Sequence, residues 1–180
     1  HGYVSNERTD YNTLIPVINK HFLAFEEKLK EVTADSGYCS EKNLLFLKEH
    51  DIDSYIKLQD HEKRKTRAYK EDIGKHYNMT YQIFEDEHYY VCHDGRELRH
   101  IHTETKEQDG YTQTFEVYGC ADCSGCEHKA KCLYKYNPEK DADKNKIMKI
   151  NEQWEELKSE SHANIESEKG ILNRQIRSIQ

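Results

Sequence analysis

With 180 residues, the chain is long enough for one domain or for a domain with a small satellite. Its composition, 35% hydrophobic and 34% charged with 13 tyrosines and only 2 prolines, excludes a low-complexity disordered segment and implies a modest core, or one shared with further segments. The net charge of -7 is wrong for a simple nucleic-acid coat, and no apolar run approaches the roughly 20 residues that span a bilayer.

In chain order, residues 3–5 read as the end of a strand. Asn12 or Thr13 can cap a helix that tolerates Pro16 in its first turn and carries Leu14, Val17, Ile18, Phe22 and Phe25 on one face. A charged connection, 26–30, leads to a short strand through Val32 and Ala34 that ends at Asp35, where Gly37 permits a sharp turn. Ser40 is placed to cap a helix bearing Leu44, Leu45 and Leu47, and residues 55–58 read as the next strand. Strand, helix, strand, helix, strand argues for an α/β layer with parallel strands.

Past Asp60 the pattern changes. The basic stretch 61–76 has no period and reads as loop or frayed helix. Residues 79–84, 88–92, 97–103 and 112–118 alternate as antiparallel strands, with Asp94-Gly95 and Asp109-Gly110 as hairpin turns. From Pro138 to the end an apolar stripe recurs near a 3.5-residue period (Ile147, Ile150, Trp154, Leu157, Ile165, Leu172, Ile176, Ile179), which predicts helix throughout, broken at Gly170. The boundaries that follow are 1–59, an α/β part; 60–138, a β-rich part with the cysteines; and 139–180, C-terminal helices.

Three features carry chemistry. Four of the six cysteines, Cys120, Cys123, Cys126 and Cys132, are spaced C-x2-C-x2-C-x5-C, which lets thiolates converge on one ion, with Gly119 and Gly125 supplying tight turns. Without a secretory signal, such crowding points to metal rather than disulfides and to a reducing cytoplasm. Zn2+ in a structural role, an iron–sulfur cluster and no metal at all remain open, since the last gap departs from ferredoxin spacing. Cys39 and Cys92 are assigned no role. Second, Asp35 closes a strand ahead of a glycine turn, where open α/β sheets place functional groups, although a surface turn aspartate reads the same way. Third, Lys63, Arg64, Lys65, Arg67 and Lys70 cluster without an acid among them, a patch suited to phosphates or simply a solvated loop. His100 and His102 would share one strand face, as ligands or as plain exposed side chains.

The order of these segments resembles a known family. Ala34-Asp35-Ser36-Gly37-Tyr38, followed by Ser40-Glu41-Lys42-Asn43 opening a helix, is similar to the second-aspartate block of bacterial insertion-sequence DDE transposases. Asp10 to His21 resembles the helix before that block, "YVCHDGRELR" the strand pair ahead of a cysteine knuckle, "CADCSGCEHKAKC" the knuckle itself, and "SEKGILNRQIRSIQ" the run-up to the catalytic glutamate. The resemblance implies a partial ribonuclease H-like mixed sheet with a small cysteine-bearing β-rich insert. It implies three acids holding two Mg2+ ions for phosphodiester cleavage and strand transfer, with DNA ends and target as partners and a homo-oligomer in the complete enzyme. Asp35 matches the second acid, as catalytic residue and Mg2+ ligand. The first aspartate is expected upstream of His1 and the glutamate just past Gln180, so the chain reads as a fragment, inactive alone; the opening His1-Gly2-Tyr3, without Met, reads as truncation or processing. Arg177 matches the motif arginine and could contact phosphate, whereas Arg174 stands where the family tends to have tyrosine. A non-enzymatic DNA-binding module, using the basic stretch and a zinc knuckle, and a degenerate inactive product are the alternatives.

Overall fold

A computed structural model describes residues 10–25, 28–108 and 110–179. The predicted strand at 3–5 and part of the charged connection at 26–30 lie outside the described residues. The chain divides into two compact units, one within His1–Glu62 and Gln153–Gln180, the other Lys63–Glu152.

In the first unit, helix α1 (Leu14–Ala24) follows Thr13 and buries Leu14 and Ile18. Strand β1 (Glu31–Ala34) runs parallel to β2 (Asp53–Ile56), with Val32 opposite Ser54 and Ala34 opposite Ile56. Between them lies α2 (Glu41–Glu49), whose cap is Ser40: its side chain accepts the Asn43 N–H. This is the predicted capped helix between parallel strands, starting at the predicted residue. Leu14, Ile18, Leu44, Leu47, Ile52, Ile56, Leu58 and Leu157 form the core.

Two C-terminal helices, α6 (Glu152–Glu166) and α7 (Glu168–Ile179), return to this unit. Buried Ser161 of α6 donates its hydroxyl to the Ile56 carbonyl at 2.7 Å, and Asn164 donates to Ser54 O at 3.2 Å. These bonds satisfy β2 carbonyls that would otherwise be orphaned beneath a helix. Lys48 on α2 bridges Glu156 and Glu160 of α6 at 2.8 and 2.7 Å.

The second unit begins with the basic stretch, which forms two single-turn helices, α3 (His61–Arg64, straddling the boundary) and α4 (Arg67–Lys70). A five-stranded antiparallel sheet follows: β3 (Thr80–Phe84), β4 (Glu87–Val91), β5 (Glu97–Gln108), β6 (Tyr111–Cys120) and β7 (Ile147–Ile150), in that spatial order. Gly95 and Gly110 both have positive φ, the conformation for which the hairpin turns need glycine. Between β6 and β7 the chain is irregular except for one short helix, α5 (Lys129–Cys132).

Strand β7 corrects the expectation of helix from Pro138 onward. Ile147, Met148, Lys149 and Ile150 alternate exposed and buried, with Met148 and Ile150 packed beside Leu98 and Tyr118. The spacing 147, 150, 154, 157 fits a helical stripe, and that longer period masked a four-residue alternation. A second correction concerns the helix break. It falls at Ser167, whose hydroxyl accepts the Gly170 N–H at 3.1 Å, and Gly170 lies inside α7. The architecture is a partial ribonuclease H-like α/β fold: a parallel pair under helices, an antiparallel sheet and C-terminal helices.

Candidate metal centre and nucleic-acid interface

Asp35 sits one residue beyond β1, in extended backbone, and caps the 3-10 turn Ser36–Tyr38. Its Oδ1 accepts the Gly37 N–H at 2.9 Å. A Cβ on Gly37 would lie 3.0 Å from that Oδ1 and 3.8 Å from a carboxylate oxygen of Asp10, so the glycine keeps open a gap flanked by two acids. Asp10, in the 3-10 turn Asp10–Asn12, was not singled out by the sequence; only the packing of its turn against Ser36–Tyr38 brings it there.

The last helix reaches this place. Arg177 of α7 lies 3.5 Å from Asp35 Oδ2, with both side chains about half exposed. In its first turn, α7 carries Lys169, which pairs with Glu31 at the head of β1 and lies over the Tyr55 ring at 5.4 Å. Gly170 allows the approach, because a Cβ there would run into the backbone at the end of α6. Two residues far apart in sequence, matched separately by the resemblance, thus meet at the C-terminal end of a strand. Arg174 turns elsewhere and faces Glu166 at 3.9 Å.

The basic residues are exposed or half-exposed on the short helices and, for Lys65, in the turn between them. Arg67 pairs with Glu71 at 2.8 Å, and Arg64 lies 5.7 Å from the centre of the Tyr69 ring. Tyr69 and Tyr77 stack at 4.5 Å with their planes 10° apart, and burial pushes the Tyr77 hydroxyl well above the usual phenol range. Cations beside stacked aromatic faces are a surface that phosphate and bases can share.

The four predicted cysteine ligands divide. Cys120 and Cys123 are buried in the core of the second unit, whereas Cys126 is half-buried and hydrogen-bonds to Asp94. Cys132 ends α5. Cys92, which the spacing pattern left without a role, packs against the cluster that holds Cys120 and Cys123. Among the described residues, the metal-ligating atoms that gather within 4.8 Å of one another belong to His61, His162 and Glu166, not to the cysteines. That trio includes the i, i+4 pair of one helix, a spacing visible in the sequence. Arg174 lies 3.9 Å from the Glu166 carboxylate. His100 and His102 are separated by a β-bulge and pair with different acids, Glu116 at 2.6 Å and Glu104 at 3.7 Å.

Comparison with known proteins gives one match. A family model described as a transposase DDE domain matches residues 91–180, the second half of the chain. That span takes in the cysteine segment, α6, α7 and Arg177, and leaves Asp35 outside it. Neither a curated protein nor a solved structure matches the chain. No helix among the described residues is long and apolar enough to cross a membrane.

Proposed function

Since the chain belongs to the transposase DDE domain family, we propose that Asp35 is the second acid of a three-carboxylate site that cuts and rejoins DNA phosphodiesters in the complete transposase. The observation that carries this reading is the meeting of Asp35 with Arg177, across the end of β1, at 3.5 Å.

The donor set suits a hard divalent cation. Asp35 presents a half-exposed carboxylate to solvent, with Asp10 on the other side of Gly37, and Mg2+ keeps several waters while taking one or two carboxylates. Two such ions, about 3.5–4 Å apart, would stabilise the entering and leaving oxygens of an in-line displacement. The chain's own residues prepare the place. The Gly37 N–H fixes the orientation of the carboxylate, so one oxygen is held while the other faces Arg177. Arg177 holds the anionic position by charge when no cation is bound, and is placed to take a DNA phosphate when one is. Lys63, Arg64, Lys65, Arg67 and Lys70 engage DNA backbone through charge, with Tyr69 and Tyr77 beside them.

One carboxylate cannot hold two Mg2+ ions, and among the described residues Asp10 is the further acid that flanks the Gly37 gap. Strand transfer therefore belongs to the longer polypeptide that supplies the remaining acids, assembled as an oligomer on the insertion-sequence ends. The test is a gel assay with terminal-repeat DNA and Mg2+. In the complete transposase, Asp35→Asn should abolish cleavage while DNA retention survives; the 180-residue chain alone should bind DNA in a salt-sensitive way and cut nothing. Cleavage undiminished by Asp35→Asn would overturn the assignment. Salt-sensitive binding in a complete protein that never cuts DNA would favour the second reading, a binding module built on the basic stretch.

A further inference from the structure

The cysteine set that the fold brings together is not the one the spacing suggests. Tyr90, Leu98 and Cys120 are successive cross-strand partners on β4, β5 and β6, so their side chains share one face of the sheet. Cys92 lies two residues beyond Tyr90, one past the end of β4, and returns to that face where the hairpin is still closed by its N–H, which donates to Arg96 O at 2.9 Å. Cys92 and Cys120 thus lie on one face at one end of the sheet, with Cys92 packed against the buried cluster that holds Cys120 and Cys123.

Lys146 ties the remaining members to them. Its carbonyl accepts the Cys120 N–H at 2.9 Å, its own N–H points at Cys123 Sγ at 3.4 Å, and its ammonium donates to the Cys132 carbonyl at 3.1 Å and to Gly74 O at 2.7 Å. Gly74 is held so close that a Cβ on it would lie 2.5 Å from Cys132 O. An N–H aimed at a sulfur is the outer contact that metal-bound thiolates commonly receive. Cys126 is engaged by Asp94, to which it hydrogen-bonds, with Arg96 beside that pair.

We propose that Cys92, Cys120, Cys123 and Cys132 form a four-thiolate structural site for one Zn2+ ion, with Cys126 outside it. The proposal is independent of the assignment of Asp35. The sulfurs stand apart from a closed tetrahedral set, for Cys120 donates its thiol proton to Asp122 O at 3.2 Å. Zn2+ takes the thiolate form, so binding releases the thiol protons, frees Cys120 from Asp122 and lets the sulfurs close to about 2.3 Å from the ion. The gain is clear: the segment 121–146 has one four-residue helix of its own, and the ion would anchor it to the end of the sheet.

The test uses the reduced full chain with Zn2+ and, as a spectroscopic probe, Co2+. One Zn2+ per chain by elemental analysis, and a Co2+ spectrum with thiolate charge transfer and tetrahedral d–d bands, are expected. Cys92→Ser should weaken Zn2+ binding by about 100-fold or more, while Cys126→Ser should leave it within a few-fold of wild type. Should Cys92→Ser fail to fold, alkylation of the wild-type protein followed by mass spectrometry decides. Zn2+ should protect Cys92, Cys120, Cys123 and Cys132 and leave Cys126 reactive. Protection of Cys126 instead of Cys92, absence of bound metal, or purification with iron and sulfide would each overturn the proposal.

Discussion

Gly170→Ala is the most informative single change in the first unit, because two effects oppose each other and their sizes decide the sign. In an isolated helix, alanine in place of glycine gains about 1 kcal/mol. Here a Cβ would overlap the Asn164 carbonyl oxygen and lie 2.7 Å from Ile165 O and 2.8 Å from Ile165 Cα. All three are backbone atoms of α6, so no side chain can swing aside, and relief requires α7 to move. Inserting a methyl group into such a contact costs about 1–3 kcal/mol, more than the propensity gain over most of that range. Gly170→Ala should therefore lower the stability of the first unit by about 1 kcal/mol, roughly 4–8 °C in Tm for a unit of this size. Displacing α7 also pulls Arg177 away from Asp35 and Lys169 from Glu31. Trp154, the single tryptophan, packs against this unit's core and reports its unfolding by fluorescence in urea. A variant as stable as wild type, or more so, would show that helix propensity wins and that close packing of α7 on α6 is not what places Arg177.

Other substitutions test neighbouring parts of the argument. Ser161→Ala should cost about 1–3 kcal/mol in urea denaturation, since it leaves the Ile56 carbonyl buried without its 2.7 Å donor. Leu47→Ala, at a fully buried core position, should cost about 2–5 kcal/mol in the same experiment. The Arg96 guanidinium hydrogen-bonded to Asp94 holds that carboxyl below its ordinary 3.8. A depressed carboxylate stabilises the fold above the unfolded-state value and loses that contribution as pH falls through the folded one. Acid unfolding followed by circular dichroism should thus begin at higher pH in Asp94→Asn, and an unchanged acid limb would count against the pair.

The sequence made the first unit legible where one local rule sufficed. Ser40 before a leucine-bearing helix, Gly37 after a short strand, and parallel strands on either side of α2 were all read from capping and periodicity. It failed where two periods coincided: Ile147 and Ile150 fit both a helical stripe and a strand, and only packing against Leu98 and Tyr118 chose the strand. Gly170 was read as a helix breaker, whereas Ser167 breaks the helix and the glycine serves a close approach that no local pattern encodes. The strand end before Asp35 was legible; the meeting of Asp35 with Arg177 was not, because it depends on how α7 packs across β1. Cys92 was passed over for a similar reason, since spacing rules favour cysteines close together in sequence, while the sheet register brings in one from two strands away.

That contrast bears on what Asp35 can do. An exposed ion pair at 3.5 Å contributes little to stability, typically about 0–1 kcal/mol. The fold therefore gains almost nothing from placing Arg177 beside Asp35, yet it keeps Gly37 and Gly170 at two tight approaches and uses the Lys169–Glu31 pair to bring α7 to that spot. Positions held in place with so little effect on stability are the ones where a charge is wanted for something other than folding. A carboxylate balanced by a movable guanidinium can exchange that partner for a cation without exposing an uncompensated charge. Asp35→Asn should accordingly leave the urea midpoint of the first unit nearly unchanged, within about 0.5 kcal/mol, since the amide oxygen still accepts from Gly37 and only the weak pair is lost. A large loss of stability in that variant would mean the aspartate is structural, and the case for a metal-binding role would lose its footing.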